Sequence, residues 1–171
     1  MLSAIQNRQA VRKFTNAPVN SNDIDELINA FQASPCGMHQ TDVMKGIVIE
    51  SPDLCAEIEK ATNNACYGAP LLFAIATKKD SNFGERDASA AAENIMLQAT
   101  ELGYGSVYIM SGAIELNNHP SLLKKLGISN DFQISVIVPV GKAVEQPAHE
   151  DRANRYQIIR KIGRASCRER V

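Results

Sequence analysis

Apolar positions along this chain recur with two different periods. Ile24, Leu27, Ile28 and Phe31 fall at i, i+3, i+4 and i+7 behind Ser21-Asn22-Asp23. Capping side chains followed by one apolar stripe predict a helix over residues 23–33. The β-branched run Gly46-Ile47-Val48-Ile49-Glu50 predicts a short strand. Ser51-Pro52 joins a capping hydroxyl to a first-turn proline and opens a helix with Leu54, Ile58 and Ala61 inward. Leu71 to Thr77 is a mostly apolar run between Pro70 and Lys78, the pattern of a strand buried on both faces. Arg86 to Leu102 is alanine-rich with Ala92, Ile95, Met96, Ala99 and Leu102 in register, and Gly103 closes it. Ser106 to Met110 reads as a short strand, His119-Pro120 opens a helix that Gly127 stops, and Phe132 to Val140 reads as a central strand. Near the start, Ala4-Ile5 precedes Arg8 and Arg12; were this segment helical, the two arginines would share one face.

The order is therefore α-α-β-α-β-α-β-α-β. Regular βαβ alternation is missing, and no G-x-G-x-x-G follows a strand, so a dinucleotide-binding doubly wound fold is not supported. An α+β domain fits better, with a sheet flanked by helices.

Composition narrows the class once the C-terminal end is set apart. Residues 161–171 break the preceding pattern and back-translate to a common sequencing adapter. They are expected to lie outside the fold, leaving one domain over residues 1–160. The full chain of 171 residues carries 18 Lys+Arg and 19 Asp+Glu. Without Lys161, Arg164, Arg168, Arg170 and Glu169, 14 basic and 18 acidic side chains remain, a net charge of −4. A mildly acidic chain argues against nucleic acid and anionic membrane surfaces as partners. No apolar run approaches the roughly 20 residues of a membrane span. Met1-Leu2-Ser3 has no signal-peptide pattern, and Cys36, Cys55 and Cys66 form no CxxC. A cytoplasmic, reducing setting is expected.

Candidate chemistry gathers in a few segments. Two guanidiniums on one face, Arg8 and Arg12, suit a phosphate or another extended anion, although an isolated R-x-x-x-R is more often a solvated basic face. Pro35-Cys36-Gly37-Met38-His39 follows a helix and reads as a loop, where binding residues concentrate. Cys36 and His39 have zinc-like spacing, but a structural zinc site needs four ligands and Cys55 and Cys66 have no histidine nearby, so no metal site is expected. A thiolate pair at Cys36 and His39 is an alternative. Asn63-Asn64 before Ala69-Pro70 reads from its residues as helix-terminating asparagines in a turn. Leu102-Gly103-Tyr104-Gly105-Ser106 allows close backbone approach.

Together these blocks resemble the FMN-dependent nitroreductase family. Ala4, Ile5, Arg8, Val11, Arg12, Phe14, Pro18 and Pro35 match its opening motif, and Leu102 to Gly112 resembles its L-G-x-G-S-x-W-I segment. Ala10, Cys36 and His39 depart from the Ser, Ser/Thr and Asn usual there. The resemblance implies a nitroreductase-like α+β fold with a mainly antiparallel sheet, an intertwined homodimer, and FMN with NAD(P)H as co-substrate. Hydride would pass through flavin N5 to nitroaromatic, quinone or similar small-molecule acceptors. It implies that Arg8 meets the FMN phosphate and that Arg12 lies near the pyrimidine edge, where a cation stabilises reduced flavin. Gln9 and Ala10, between the two arginines, would also line the cofactor, Ala10 through backbone contact only because it lacks the family's Ser hydroxyl. Pro35, Cys36, Met38 and His39 would form the loop under the flavin, Asn64 would touch the pyrimidine, and Tyr108, Ile109, Met110 and Ser111 would pack on the dimethylbenzene side. Arg152 would return to the phosphate, with Arg155 as fallback, while Glu150 stands where a lysine is usual. No protein side chain is assigned as general acid. A non-catalytic flavin-binding or storage protein and a Cys36 thiol redox sensor are the alternative functions.

Overall fold

The computed structural model describes residues 1–148 and 150–161; the rest of the set-aside tail, from residue 162 onward, lies outside them. Six helices and four strands follow in the order α1 (Ser3–Asn7), α2 (Ser21–Gln32), β1 (Met44–Ile49), α3 (Pro52–Ala61), β2 (Leu71–Lys78), α4 (Gly84–Glu101), β3 (Gly105–Ser106), α5 (Ser111–Leu116), α6 (Pro120–Lys125) and β4 (Phe132–Gly141). Short 3-10 turns occupy Gly37–His39 and Thr41–Val43. The strands form one antiparallel sheet in the order β1-β2-β4-β3. The α+β expectation therefore stands.

Alternation along β2 explains the layering. Leu71, Phe73 and Ile75 point into a core built with α2 and α4. Leu72, Ala74 and Ala76 point the other way, into a core with α3, α5 and α6. A strand covered on both faces is apolar throughout, which is why residues 71–77 show no polar alternation. In β4, Ile134 and Ile137 both belong to the α3 side, while Val136, Val138 and Val140 belong to the α4 side. A bulge reconciles this: Ile75 pairs with Val136 and Ala76 with Ile134, so one residue of β4 is extra and the facing changes there. Small residues let α4 lie close to the sheet, since Ala88, Ala91, Ala92, Ile95 and Ala99 are fully buried. Removing one such isoleucine side chain from water is worth roughly 1.5–3 kcal/mol.

Local sequence features place the element ends. Ser51 Oγ accepts from the Leu54 N–H at 3.4 Å with Pro52 in the first turn. Gly103 and Gly127 take φ of +80° and +73°, which frees the chain to leave α4 and α6. The cap of α2 is Asn20, one residue before the expected group; its side chain accepts from Asn22 N–H at 3.0 Å. α4 starts at Gly84, earlier than expected, where Ser81 Oγ accepts from the Gly84 N–H at 3.0 Å. α5 was not foreseen, because its six residues hold too few apolar positions to show a period. The foreseen strand over Ser106 to Met110 reduces to the two residues of β3 and an isolated Ile109–Ile137 bridge.

The largest departure concerns Arg8 and Arg12. α1 ends at Asn7, and Arg8 has already left helical geometry with φ −57° and ψ 125°. The chain then runs extended. Ala10 bridges Ser106, the Val11 N–H donates to Ser106 O at 3.0 Å, and Phe14 bridges Ala143. Helical continuation loses because the extended form buries Val11 and Phe14 and pairs the backbone against β3 and the end of β4. The shared helical face is therefore incorrect. Arg8 is half-buried and Arg12 exposed along this extended segment.

Candidate functional site

Helix α4 is the post to which three of the expected site segments attach. Arg8 Nε lies 3.5 Å from Glu93 Oε1, with Arg8 mostly buried and Glu93 half exposed. Tyr108 Oη shares a hydrogen bond with Ser89 Oγ at 3.0 Å. Ser89 and Glu93 are one turn apart on α4 and so share a face. The third segment is the loop at residues 35–39. Both carboxylate oxygens of Asp87 accept from the Gly37 N–H, at 3.1 and 3.0 Å. Among the described residues Asp87 is the only charged residue that is buried. Its backbone partner satisfies a group that would be costly to bury alone. Nothing in the sequence pattern singled out Asp87, since an acidic residue in a helix's first turn is ordinary.

The loop itself is tightly specified. A Cβ at Gly37 would lie 2.5 Å from the Phe83 ring, so only glycine fits without movement. Met38 and His39 then adopt φ of +54° and +55°, which leaves both side chains exposed. Left-handed backbone at two successive non-glycine residues is costly and tends to persist at binding sites. Among the described residues no hydrogen bond joins Cys36 to His39, and no group of three His, Cys, Asp or Glu side chains is arranged to hold a metal.

Arg8 to Arg12 runs beside β3, two residues before Tyr108. A Cβ at Gly105 would meet Val11 at 2.6 to 2.8 Å, so this glycine permits the close approach of the two segments. Gln9 lines a cavity of about 330 Å3 shared with Val11, Tyr104 and Gly105. Ser106 Oγ is buried there without a hydrogen-bond partner, and its bridge partner is Ala10, whose methyl offers none.

Residues 108–111 cross from one side of the sheet to the other. Tyr108 packs with the α4 core, whereas Ile109 belongs to the α3 core and bridges Ile137. Met110 and Ser111 are exposed at the start of α5. The Asn64 turn lies on that second side. A Cβ at Gly112 would be 3.2 Å from Ala65, which brings the turn against α5. Asn63, Asn64 and Tyr67 take positive φ, and the Asn64 N–H donates to Glu59 O at 2.8 Å as α3 unwinds. Asn64 therefore has a structural task in terminating α3, and its exposed side chain is free for a second one. The thiols below this turn are inert: burial raises Cys55, and burial pushes Cys66 up to about 12.

Arg152 does not join Arg8 through any contact among the described residues. Its Nε is sealed from solvent without a hydrogen-bond partner and lies 3.5 Å from Glu150 Oε2. Arg155 Nη2 also pairs with Glu150. The hydrogen bond from Arg155 holds the Glu150 carboxyl below its ordinary range, and the Arg152 charge adds to this. The structure thus ties Arg8 and Tyr108 to one face of α4 and the loop over residues 35–39 to another. It groups Asn64 with Met110 and Ser111 on the opposite side and leaves Arg152 within its own segment. An apolar cavity of about 390 Å3 between α3 and the ends of β1 and β2 contains none of these residues.

These features can be set against known proteins. The Nitroreductase family model matches residues 39–142. A Methanothermobacter thermautotrophicus protein with the provisional name NADH dehydrogenase/NAD(P)H nitroreductase is 26% identical over 161 residues, covering 88% of this chain and 81% of its own. The solved Bacteroides fragilis nitroreductase with bound FMN superposes with a TM-score of 0.80 at 20% identity, covering 92% of this chain and 97% of that one. The Desulfitobacterium hafniense nitroreductase with bound FMN gives 0.81 at 18% identity, with 92% and 96% covered. With the family model spanning more than half of its length and the same fold in both neighbours, this chain belongs to the nitroreductase family.

Proposed function

We propose that this protein is an FMN-dependent oxidoreductase that draws electrons from NAD(P)H to reduce nitroaromatic, quinone or similar small-molecule acceptors. The support for this reading is that α4 carries the attachments of Arg8 and Tyr108 on one face and of the residue 35–39 loop on another, in a chain of the nitroreductase family. Both fold neighbours named above have bound FMN, and the archaeal relative's name includes NAD(P)H.

The residues present fit such a cofactor. A flavin mononucleotide needs cations for its phosphate and pyrimidine edge, donors for its ribityl chain, and an apolar shelf. Arg8 and Arg12 provide two cations along an extended strap. Met38 and His39 are strained and exposed beside a half-buried Cys36, and Met110 offers an exposed apolar side chain. The flavin would supply the redox chemistry, accepting hydride from NAD(P)H and returning two electrons to the acceptor. The chain's own work is to hold and orient. Arg12 would stabilise negative charge at the pyrimidine edge, Arg8 steadied by Glu93 would face the phosphate, and Asp87 would fix the loop.

A homodimer is part of the proposal. The expected ligands divide between two sides of the sheet, so a second copy would complete each site. β1 lies at the sheet edge, and Leu2, Ile5, Tyr156, Ile158 and Ile159 are exposed apolar residues. We also assign the protein to the cytoplasm. Cys36, Cys55 and Cys66 are unpaired, and among the described residues no helix is long and apolar enough to cross a membrane.

The test is the visible spectrum of the full chain purified with excess FMN and desalted. Retained absorbance near about 450 nm that bleaches on anaerobic addition of NADH or NADPH is expected. A folded, colourless protein overturns the reading. Retained flavin without bleaching would favour a storage protein. Activity lost in Cys36→Ser would favour a thiol sensor.

A further inference from the structure

We propose that the cavity between α3 and the ends of β1 and β2 is a second binding site, for a small organic ammonium ion with an apolar or aromatic body. The proposal goes beyond the FMN reading and does not rest on it, because the cavity contains none of the residues placed in that site.

Size and lining suit a ligand. The cavity holds about 390 Å3, within the roughly 300–1,000 Å3 of small-molecule pockets. Its floor is apolar and buried, formed by Cys55, Ala69 and Leu72. Its rim is exposed at Glu50, Ala56 and Gly68, so the space is reached from solvent.

Charge decides the class of ligand. Among the described residues Glu50 and Glu59 line the cavity, and no Lys, Arg or His does. Neither carboxylate takes part in any of the described salt bridges. Glu59 carries the argument. Its Oε1 accepts from the Gly68 N–H at 3.2 Å, while its Oε2 is sealed from solvent without a hydrogen-bond partner. A buried carboxylate oxygen is ordinarily matched by a donor or a cation, and here the protein supplies neither. The charge is shared by both oxygens, so a cation in the cavity is held by Glu59 without touching the sealed one. The field of Glu59 already reaches the floor, where the Cys55 thiol is raised first by burial and then by the Glu59 charge. An ammonium group provides a compact positive charge with three donors, and the apolar floor takes the body attached to it. FMN and NAD(P)H carry phosphates and would meet two like charges at this cavity, which sets it apart from the redox site.

The experiment is a saturation-transfer NMR titration of the full chain at neutral pH with phenethylammonium chloride. Phenethyl alcohol and hydrocinnamate are titrated beside it, since they keep the aromatic body and replace the cation with a neutral group or an anion. The ammonium should bind about tenfold more tightly than the alcohol, the scale of one charge-assisted contact. Hydrocinnamate should bind more weakly than either. Glu59→Gln keeps an acceptor for Gly68 and removes the charge, so the tenfold preference should shrink to about twofold. Ala56→Trp fills the mouth from the exposed side of α3, leaves both carboxylates in place and should abolish binding of all three probes. Near-ultraviolet circular dichroism and thermal melting check that each variant keeps the parent fold. Equal binding of the three probes, a preference for the ammonium untouched in Glu59→Gln, or binding that survives Ala56→Trp overturns the proposal. So does a parent chain that binds no phenethylammonium at about 10 mM, the weakest affinity expected of a fragment this size. None of these readouts depends on bound flavin, so a failure here leaves the FMN reading intact, and the reverse.

Discussion

The two faces of the sheet are built differently. On one, α4 is a long helix whose buried residues are mostly alanine, lying close to β2 and β4 with α2 packed beside it. Phe31 and Phe73 pack with their rings tilted by 39° at a centroid distance of 5.4 Å. On the other, α3, α5 and α6 are short, four residues between 63 and 68 adopt positive φ, and a cavity of about 390 Å3 remains. Even a carboxylate oxygen of Glu59 is buried there without a partner. The contrast assigns tasks. The dense face is the rigid post that holds Arg8, the residue 35–39 loop and Tyr108, while the looser face carries turns that can adjust around a ligand. Preorganised groups belong on rigid elements.

The contrast breaks if matched truncations cost the same. Ile95→Ala in the alanine layer should lose about 4 kcal/mol, because close-packed neighbours cannot collapse into the space. Leu122→Ala at the α6 side should lose about 2 kcal/mol, because short helices can shift. Denaturant unfolding measures both, and equal losses would refute the distinction.

A smaller perturbation sharpens it at the strap. Gly105→Ala would set a methyl 2.6 to 2.8 Å from Val11. Overpacking of about 1–3 kcal/mol should push the Arg8–Arg12 segment off β3. FMN affinity should fall by more than the loss of stability alone explains, which titration at a temperature well below unfolding can separate.

The smallest effect is alkaline. Burial pushes the Cys66 thiol up to about 12, above its ordinary value near 9.0. The folded protein therefore holds this proton while the unfolded chain releases it, so this contribution is full below about pH 9 and is lost as pH rises through the window toward 12. Cys66→Ala should flatten the fall in stability across that window, and thermal melts at pH 8 and pH 10 would record it. An unchanged slope would mean that the looser face admits solvent to the thiol.

Periodicity was reliable where one local pattern met one environment. Residues 24–31 bury Ile24, Leu27 and Phe31 as the stripe requires, and the run from Leu71 is the doubly covered strand. The cap at Ser51-Pro52 and the stops at Gly103 and Gly127 are likewise local chemistry. The site was legible only in part. Arg8 and Tyr108 attach to α4 through Glu93 and Ser89, which look like ordinary helix-surface residues in sequence. Asp87 was missed for the same reason. Arg152 could be proposed by counting along the tail, but its capture by Glu150 depends on side-chain placement that no spacing encodes.

The sequence by itself determined the α+β class, nearly every long element and its inward face, and the family. These depend on interactions within a few residues or on the period at which apolar side chains return to one side. Tertiary structure alone decided that Arg8 to Arg12 is extended and that the bulge in β4 reverses its facing. It alone decided that α4 gathers three distant segments, through Asp87, Ser89 and Glu93. Each of these outcomes turns on contacts between residues far apart in sequence, where burial of Val11 and Phe14 or pairing with β3 outweighs the modest local preference for helix.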